Sequence, residues 1–413
     1  RLFFDWMVYF ISCLLNGYRK SNVGCADNRE VMYKKENLCW YFASISFYGM
    51  IGKNFRVRRN ENRLRKRESM KKVVIMVFLL LFLTGCVQSE QKKAFDVQYF
   101  DYFDTFTSFT VYAEDEEQFQ QYAELFQSEL EYYHQQFDIY HSYSGINNIK
   151  TINDNAGITA VQVDKELLDF LEFAFQEYDR TRGKVNVAMG SVLSIWHTYR
   201  EEGLADPKRG QVPDEEILNQ AAGYMDISKV KIDREKSTVY LEDPSMSLDV
   251  GAMAKGYASQ QICGKLQKAG VVSGLVNIGG NVQTIGVKGD GKMWRVGVQN
   301  PDTSSMQSYL YALNLQDMAL VTSGTYQRYY EVDGVRYHHI IDPETLFPRQ
   351  DFASVTILCR NGGDADALST AVFNMPLEEG QEFVESLEQV EALWVCADGK
   401  EVWSTGFKEY VVD

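Results

Sequence analysis

A short apolar segment divides the sequence into two parts of opposite charge. Eleven apolar residues, Val73 to Leu83, follow Met70-Lys71-Lys72 and precede Thr84-Gly85-Cys86. Residues 1–69 contain 14 Lys and Arg against 6 Asp and Glu. Because the whole chain carries −15 and the residues up to Cys86 carry +10, the remainder carries −25. Two such different parts are interpreted separately.

The apolar segment and its flanks are typical of an export signal. A positive start, a short apolar run and small residues before a cleavage point form that pattern, and eleven residues are too few for a transmembrane helix of ~20 residues. Leu83-Thr84-Gly85-Cys86 resembles the bacterial lipobox, which implies lipidation of Cys86. We expect residues 70–85 to be a lipoprotein signal peptide and residues 86–94 a tether. An uncleaved amphipathic segment or a buried helix is the alternative.

Residues 1–69 show no sustained helical or strand period and end in the basic cluster Arg56 to Arg67. We expect translation to start at Met70, which makes residues 1–69 upstream read-through or a cytoplasmic extension that is not a domain. A basic nucleic-acid-binding arm is the alternative, but no aromatic platform follows it. The acidic balance of the whole chain also argues against nucleic acid as the main partner. The mature protein is expected on the extracytoplasmic face of the cell membrane, held by its lipid anchor.

The acidic part, residues 95–413, is expected to be one folded α+β domain. The chain is 45% hydrophobic and 13% aromatic, which suits a globular core. Helices and hairpins intermix without regular βαβ alternation, which predicts mixed, largely antiparallel sheets with packed helices. Helices are predicted over residues 117–137, 167–178, 213–223, 254–269, 364–374 and 377–387. Strands are predicted within residues 95–112 and over residues 230–232, 239–241, 275–278, 282–287, 294–298, 309–315, 329–332 and 337–341.

The Asp-Gly pairs, a glycine-rich segment and the cysteines support weaker predictions about turns, phosphate binding and disulfides. Asp333-Gly334 and Asp398-Gly399 are type I′ hairpin signals. Gly286 to Lys292 has P-loop glycine and lysine spacing, but Met293 cannot supply a hydroxyl to magnesium, so we interpret the segment as a hairpin turn. The three cysteines after Cys86 are odd in number and widely spaced, which excludes a disulfide framework and zinc spacing. A Cys359–Cys396 bridge remains open.

The segment Leu248 to Tyr257 is suited to an anion. Small residues at Gly251 and Ala252 allow close backbone approach, and the chain then enters a predicted helix, whose start favours negative charge. Lys255 in the first turn adds a point charge suited to phosphate. A close-packed strand–helix corner with a solvated lysine is the equally weighted alternative.

Two further patterns offer chemistry. Asp366 and Thr370 are four residues apart, so a helix places both on one face as an oxygen pair suited to magnesium. A helix cap is the alternative. His338 and His339 are adjacent on a predicted strand and point to opposite faces, so one of them can face a site. A surface or core histidine is the alternative.

Several segments spread over residues 100–375 form a recognisable series. They are Phe103 to Ser108, Phe137 to Tyr140, Asp249 to Tyr257, Val276 to Gly280, Trp294 to Pro301, Thr322 to Gly324, His338 to Pro343, and Ala365 to Thr370. In this order they resemble the ApbE family of FAD:protein FMN transferases. The resemblance implies that residues 95–413 are the catalytic domain of such an enzyme.

The resemblance also implies a reaction, a cofactor and partners. The enzyme would take FAD as substrate, hold Mg²⁺ at the pyrophosphate, attach FMN through a phosphoester to a threonine of an exported flavoprotein acceptor, and release AMP. FAD would contact Phe103, Tyr140, Lys184, Val185, Asn186, Asp249, Lys255 and Ile340. Magnesium would bind the Ala252 backbone oxygen with Asp366 and Thr370. The catalytic residues would be Lys255, Asp366 and His339, with His339 handling the proton.

Four positions depart from the family pattern, and two other functions remain open. Asp104 stands where the family usually has Gly, Asn186 replaces a usual Asp, Met293 replaces a usual Pro at a turn, and Asn281 replaces a frequent Asp. One alternative function is an FAD pyrophosphatase that releases FMN and AMP. The other is a lipid-anchored flavin-binding protein without enzymatic activity, although a pure binder needs no metal pair at the scissile phosphate.

Overall fold

The computed structural model of the protein describes Lys72 and residues 92–412. Residues 92–412 belong to one compact unit of the chain, which spans residues 89–413. The predicted signal peptide (apart from Lys72), Cys86 and residues 1–69 lie outside the described residues, so those predictions stay predictions. Within the described residues, no helix combines the length and the apolar composition that crossing a bilayer requires.

The helices form where apolar side chains recur every three to four residues. In the first helix, Phe119, Phe126 and Tyr133 belong to one buried stripe, and the Asp115 side chain caps the helix by accepting a hydrogen bond from Gln118 N at 2.9 Å. The α-helices of the described residues are α1 (Glu116–Phe137), α2 (Ile149–Asp154), α3 (Lys165–Arg180), α4 (Gly190–Ala205), α5 (Glu215–Ala222), α6 (Ala254–Lys268), α7 (Gly362–Phe373) and α8 (Leu377–Glu385).

An eight-stranded sheet forms the centre of the domain. Its strand order is β1-β2-β6-β7-β10-β13-β14-β15, and its pairings are antiparallel. The strands of this sheet are β1 (Lys93–Tyr99), β2 (Thr107–Ala113), β6 (Gly274–Ile278), β7 (Asn281–Ile285), β10 (Ala319–Gly324), β13 (Phe352–Cys359), β14 (Glu391–Cys396) and β15 (Glu401–Trp403).

Smaller antiparallel sheets complete the fold. β9 (Tyr309–Leu315) pairs with both β8 (Trp294–Gln299) and β16 (Val411–Val412), and β5 (Thr238–Leu241) pairs with both β3 (Val161–Gln162) and β4 (Val230–Asp233). β11 (Tyr329–Val332) and β12 (Val335–His338) form a hairpin. The predicted α+β class with largely antiparallel sheets is confirmed.

Both faces of the large sheet are covered. On one face, Phe109, Val276 and Ile357 belong to the largest buried cluster, which also includes residues of α1, α6 and α7. On the other face, Leu320 and Leu358 pack with residues of the β8-β9-β16 sheet. A central strand such as β13 is therefore buried almost along its whole length.

Three minor predictions need correction or resolution. The loop from Gly286 to Met293 joins β7 of the large sheet to β8 of another sheet, so it is not a hairpin turn. At Asp398-Gly399 the positive φ of 83° occurs at the glycine, while Asp398 is not in the left-handed region; this is a type I turn with a bulge rather than type I′. The cysteines at 263, 359 and 396 are free thiols, so the Cys359–Cys396 bridge does not form here.

Candidate active site

A cleft of about 770 Å³ contains every residue for which a flavin, metal or proton-transfer role was predicted. The loop between β1 and β2, the residues after α1, the segment before α4, the corner before α6, the segment after β12 and helix α7 all contribute to its walls. The predicted residues in its lining are Phe103, Tyr140, Lys184, Val185, Asn186, Asp249, Ala252, Lys255, His339, Ile340, Asp366 and Thr370. The fold thus assembles residues that are up to 267 positions apart in sequence.

Helices α6 and α7 cross at two glycines, and this crossing places Asp366. A Cβ atom on Gly256 would lie 2.2 Å from Gly362 O and 2.3 Å from Asp366 Cβ. Gly256 N donates a hydrogen bond of 2.8 Å to Asp366 Oδ2. The N-cap residue of α6, Met253, gives no side-chain cap, so the Asp366 carboxylate from the neighbouring helix serves the free N–H instead.

The Asp366 carboxylate is 5% exposed and lies in an electropositive setting. Burial raises its pKa, while Lys255, the Gly256 N–H and the Asn281 amide oppose that rise. Asn281 Nδ2 lies near the carboxylate, yet it is buried without a hydrogen bond of regular geometry. A buried carboxylate beside an unsatisfied donor suits a site that takes a cation together with an oxygen-rich anion.

The corner before α6 has the predicted form. Gly251 N donates to Asp249 Oδ1 at 2.9 Å, which folds the chain sharply at Gly251-Ala252. Lys255 lies in the first turn of α6, its Nζ is 3.5 Å from Gly251 O, and it forms no ion pair within the described residues. Burial in the cleft raises the pKa of Asp249, against the nearby positive groups. An unpaired ammonium at a helix start is suited to an anionic ligand.

Thr370 lies one helical turn after Asp366 on α7, as predicted. Its Oγ1 is 3.4 Å from Ser323 Oγ, which also lies 2.8 Å from Ser369 Oγ. Among residues 92–412, no group of three or more His, Cys, Asp or Glu side chains could hold a metal ion. The predicted magnesium ligands are of another kind, since they include only one carboxylate, and the magnesium site stays a prediction.

The two adjacent histidines separate, although only His338 lies on a strand: β12 ends at His338, so the strand predicted over residues 337–341 is wrong from His339 onward. His338 is buried: its Nε2 donates to Arg349 O at 2.7 Å and its Nδ1 accepts from Ile340 N, so it is structural. His339 faces the cleft, and its Nδ1 lies 3.2 Å from Arg328 O. Partial desolvation by the cleft walls and the charges of Arg328 and Lys255 hold the pKa of His339 below its usual range, although the residue is exposed to the open cleft. Because a carbonyl only accepts, Nδ1 carries the proton and Nε2 is left as the acceptor.

The segment from Lys184 to Asn186 lines the cleft with engaged side chains. Lys184 Nζ is 2.9 Å from Glu344 Oε2 and 3.5 Å from Asp342 Oδ1, so its charge is paired. Asn186 caps the following 3₁₀ turn through Ala188 N and donates to Met225 O at 2.9 Å. A ligand in the cleft would therefore meet largely backbone atoms here, and the FAD contacts of Lys184, Val185 and Asn186 stay predictions.

Sequence reasoning missed several charged and aromatic groups of the cleft. His197 and Arg200 lie on α4, a helix that was not predicted, and Arg200 is 2.6 Å from His197 Nδ1. Arg328 lies between β10 and β11, and His134 lies on α1. The i, i+3 spacing of His197 and Arg200 is visible once α4 is known, whereas no local pattern identifies Arg328.

Comparisons with known proteins agree on one family. Residues 103–394 match the ApbE family. The chain is 34% identical over 277 residues to the FAD:protein FMN transferase of Treponema pallidum, covering 64% of this chain and 74% of the relative. The crystal structure of the ApbE protein from Thermotoga maritima has a TM-score of 0.67 at 28% identity, over 78% of this chain and 100% of that one. The flavin transferase ApbE from Vibrio cholerae has a TM-score of 0.64 at 25% identity, over 77% of this chain and 100% of that one.

Proposed function

Since the chain belongs to the ApbE family, we propose that it is an FAD:protein FMN transferase, an enzyme that takes FAD and attaches FMN to another protein. The observation that carries this is the joint position of Lys255 and Asp366 in one cleft, set by the Gly256 crossing. Lys255 is an unpaired cation within the described residues, and Asp366 is a buried carboxylate. A phosphoanhydride substrate suits both.

We further propose which group accepts FMN and which bonds form and break in the transfer. A threonine Oγ of an exported acceptor protein forms a new O–P bond to the FMN phosphorus, and the bond between that phosphorus and the bridging oxygen of FAD breaks. AMP leaves with the bridging oxygen, and the threonine proton goes to the protein. His339 Nε2 is the candidate acceptor of that proton. The phosphates beside Lys255 and Arg328 would offset the positive charges that depress the pKa of His339, making it a better base.

Magnesium is proposed at the Ala252 carbonyl, Asp366 and Thr370, and the residues present fit it. All three are hard oxygen donors in the cleft lining, and the orphaned Asn281 Nδ2 can donate to an oxygen ligand of the ion. When bound, the ion would neutralise charge that develops on the phosphates. The chain's own contribution is to hold Asp366 by the Gly256 N–H and to direct Lys255 toward the same place.

Mass spectrometry of an acceptor tests the proposal. The enzyme is incubated with FAD, MgCl₂ and a flavin-acceptor domain, and the acceptor should gain the mass of FMN less water. Replacing the acceptor threonine by valine should abolish the gain. Free FMN without labelled acceptor, across several acceptors, would favour the pyrophosphatase, and no consumption of FAD would leave only a flavin-binding protein.

The cellular placement is a separate proposal that rests on the sequence. We propose that Cys86 is lipidated after removal of residues 70–85, which would hold the enzyme on the extracytoplasmic face of the membrane near exported acceptors. The acidic balance of the residues after Cys86 argues against nucleic acid as the main partner.

A further inference from the structure

A chain of hydrogen bonds joins the two cleft loops that carry Phe103 and Tyr140. At one end, Phe103 N donates to His134 Nδ1 at 3.2 Å. His134 Nε2 lies 3.3 Å from Tyr143 Oη, and that hydroxyl donates to Asp138 Oδ2 at 2.7 Å. At the other end, Asp138 Oδ1 accepts from Tyr140 N at 2.6 Å.

The proton positions in this chain are fixed by its ends. Phe103 N–H can only donate, so His134 Nδ1 accepts and the ring proton of the neutral form lies on Nε2. His134 Nε2–H then donates to Tyr143 Oη, whose own proton goes to Asp138. The hydrogen bonds from Tyr143 and from two backbone N–H groups lower the pKa of Asp138, although burial opposes this, so it stays an acceptor.

Phe103 needs such a restraint because its backbone is strained. Phe103 and Asp104 have φ values of 54° and 49°, a left-handed conformation that non-glycine residues rarely adopt in succession. The His134 ring supports the turn twice, through the Phe103 N hydrogen bond and by an edge-on contact with the Phe103 ring at 5.7 Å between centroids. Strain of this kind persists only where surrounding groups hold it.

We propose that His134, Tyr143 and Asp138 form a positioning set that fixes the separation of Phe103 and Tyr140 for an aromatic ring of FAD. The inference rests on the proposed function, since it takes FAD as the ligand of the cleft. Tyr140 presents a half-exposed ring to the cleft, tilted against His197 at 5.5 Å. The three residues of the set act through Phe103 and Tyr140, whose loops are joined by this chain of side chains.

The test is ligand binding by the full chain without turnover. Kd values for FAD, FMN and AMP are measured in EDTA for the wild type and for Tyr143→Phe, which keeps the ring and removes the central hydroxyl. Tyr311→Phe is the matched control, because Tyr311 Oη also donates to a carboxylate, Glu401 at 2.6 Å, outside the cleft lining. We expect Tyr143→Phe to raise the Kd for FAD by about three- to tenfold. Of the two halves of FAD, measured as FMN and AMP, only one should bind more weakly to this variant. Tyr311→Phe should leave all three Kd values unchanged.

A second pair of variants examines the Phe103 end of the chain. His134→Asn keeps an acceptor near the position of Nδ1, so it should bind FAD better than His134→Ala. Unchanged FAD affinity in Tyr143→Phe, or an equal loss for FMN and AMP, would overturn the positioning role. A wild-type protein that binds none of the three ligands, either in EDTA or with MgCl₂ added, would instead contradict the proposed function, and the positioning role with it.

Discussion

Asp366 combines two tasks that usually belong to different residues. It supplies the hydrogen-bond acceptor that the start of α6 lacks, and it presents a buried negative charge to the cleft. Replacement by alanine would leave the buried Gly256 N–H without a partner, at a cost of about 1–3 kcal/mol. An alanine variant could then lose activity merely because it is less stable. A substitution of the same shape that keeps the hydrogen-bond acceptor separates the two effects.

We predict that Asp366→Asn lowers turnover by about 100-fold or more with little change in Tm. The amide oxygen still accepts from Gly256 N, while the negative charge that would hold magnesium is gone. AMP release at saturating FAD is measured against MgCl₂ concentration, together with Tm. A variant with unchanged activity and magnesium dependence would show that Asp366 is only a helix cap.

Glu177 is a buried acid that supports helix α7 from α3. It is 4% exposed and pairs with Arg180 at 3.1 Å, and Arg180 also binds Asp364 of α7 at 3.0 Å. Burial, with Asp364 adding to it and Arg180 opposing it, raises the pKa of Glu177 to about 7 from an ordinary value of 4.5. The folded state therefore binds this proton more tightly than the unfolded state.

We predict that the contribution of Glu177 to stability is lost between pH 4.5 and pH 7. The contribution of the protonated acid is complete below the unfolded pKa and is lost as pH rises through the folded value, on the order of 1–3 kcal/mol. Urea unfolding between pH 4.5 and 8 should show that the wild type loses stability relative to Glu177→Gln as pH rises. Glu172→Gln is the control, because a hydrogen bond from Arg234 lowers the pKa of Glu172. Identical slopes for wild type and Glu177→Gln would contradict the prediction.

At the scale of elements, the α6–α7 crossing controls the site. Gly256 and Gly362 allow the two helices to approach until backbone and Cβ atoms touch. A side chain at Gly256 would push on Gly362 O and Asp366 Cβ, so it would move the carboxylate as well as separate the helices. Gly264, on the same helix, has open space where a Cβ would lie, with no atom within 4 Å, and offers a matched comparison.

We predict that Gly256→Ala costs about 1–3 kcal/mol of stability and most of the activity. Gly264→Ala should instead add up to about 1 kcal/mol, because alanine is the better helix former and meets no neighbour. Chemical unfolding and AMP release of the two variants give the comparison. If Gly256→Ala were as stable and as active as Gly264→Ala, the close crossing would not be what positions Asp366.

The elements that could be predicted well from the sequence are those with a regular pattern of apolar residues or a recognisable turn signal. Helices α1, α3 and α6 show apolar spacing and recognisable ends, and the Asp333-Gly334 hairpin has positive φ at both turn residues. Helix α4 was missed because it starts at Gly190 without a side-chain cap and contains a second glycine, Gly203, packed on Tyr330. Strand β13 was missed because burial on both faces removes the alternation that identifies a half-exposed strand.

For the whole molecule, sequence motifs identified most cleft residues but not their surroundings. Lys255, Asp366 and His339 stand in motifs that could be recognised locally, and all of them line the cleft. The roles of Arg328 and of the hydrogen-bonded chain from His134 to Asp138 can be inferred only from the fold, because they depend on loops distant in sequence that lie close together in space. Pairing across the fold cannot be inferred from one sequence, because short motifs carry no information about which loops become neighbours.

The charge of the whole molecule bears on the proposed attachment to a membrane. Residues after Cys86 carry −25, so an anionic lipid surface repels the catalytic part and electrostatic adsorption is disfavoured. Membrane attachment would then depend on a covalent lipid at Cys86. The protein offers a control thiol in Cys396, which is free and partly exposed in the catalytic part.

We predict that Cys86→Ser moves the enzyme from the membrane fraction to the unattached fraction, while Cys396→Ser leaves it with the membrane. Serine cannot carry the thioether lipid, and the net negative charge of the residues after position 86 disfavours adsorption to an anionic bilayer. Fractionation of cells followed by intact-mass measurement checks both variants; the wild type should begin at Cys86 and carry added lipid mass. An unmodified wild-type chain that retains residues before Cys86, or a Cys86→Ser variant that begins at position 86 and still sediments with membranes, would contradict the lipid anchor. Because FAD and acceptor bind in the cleft of residues 92–412 under the proposed function, turnover by detergent-extracted wild type and by Cys86→Ser should agree within about twofold.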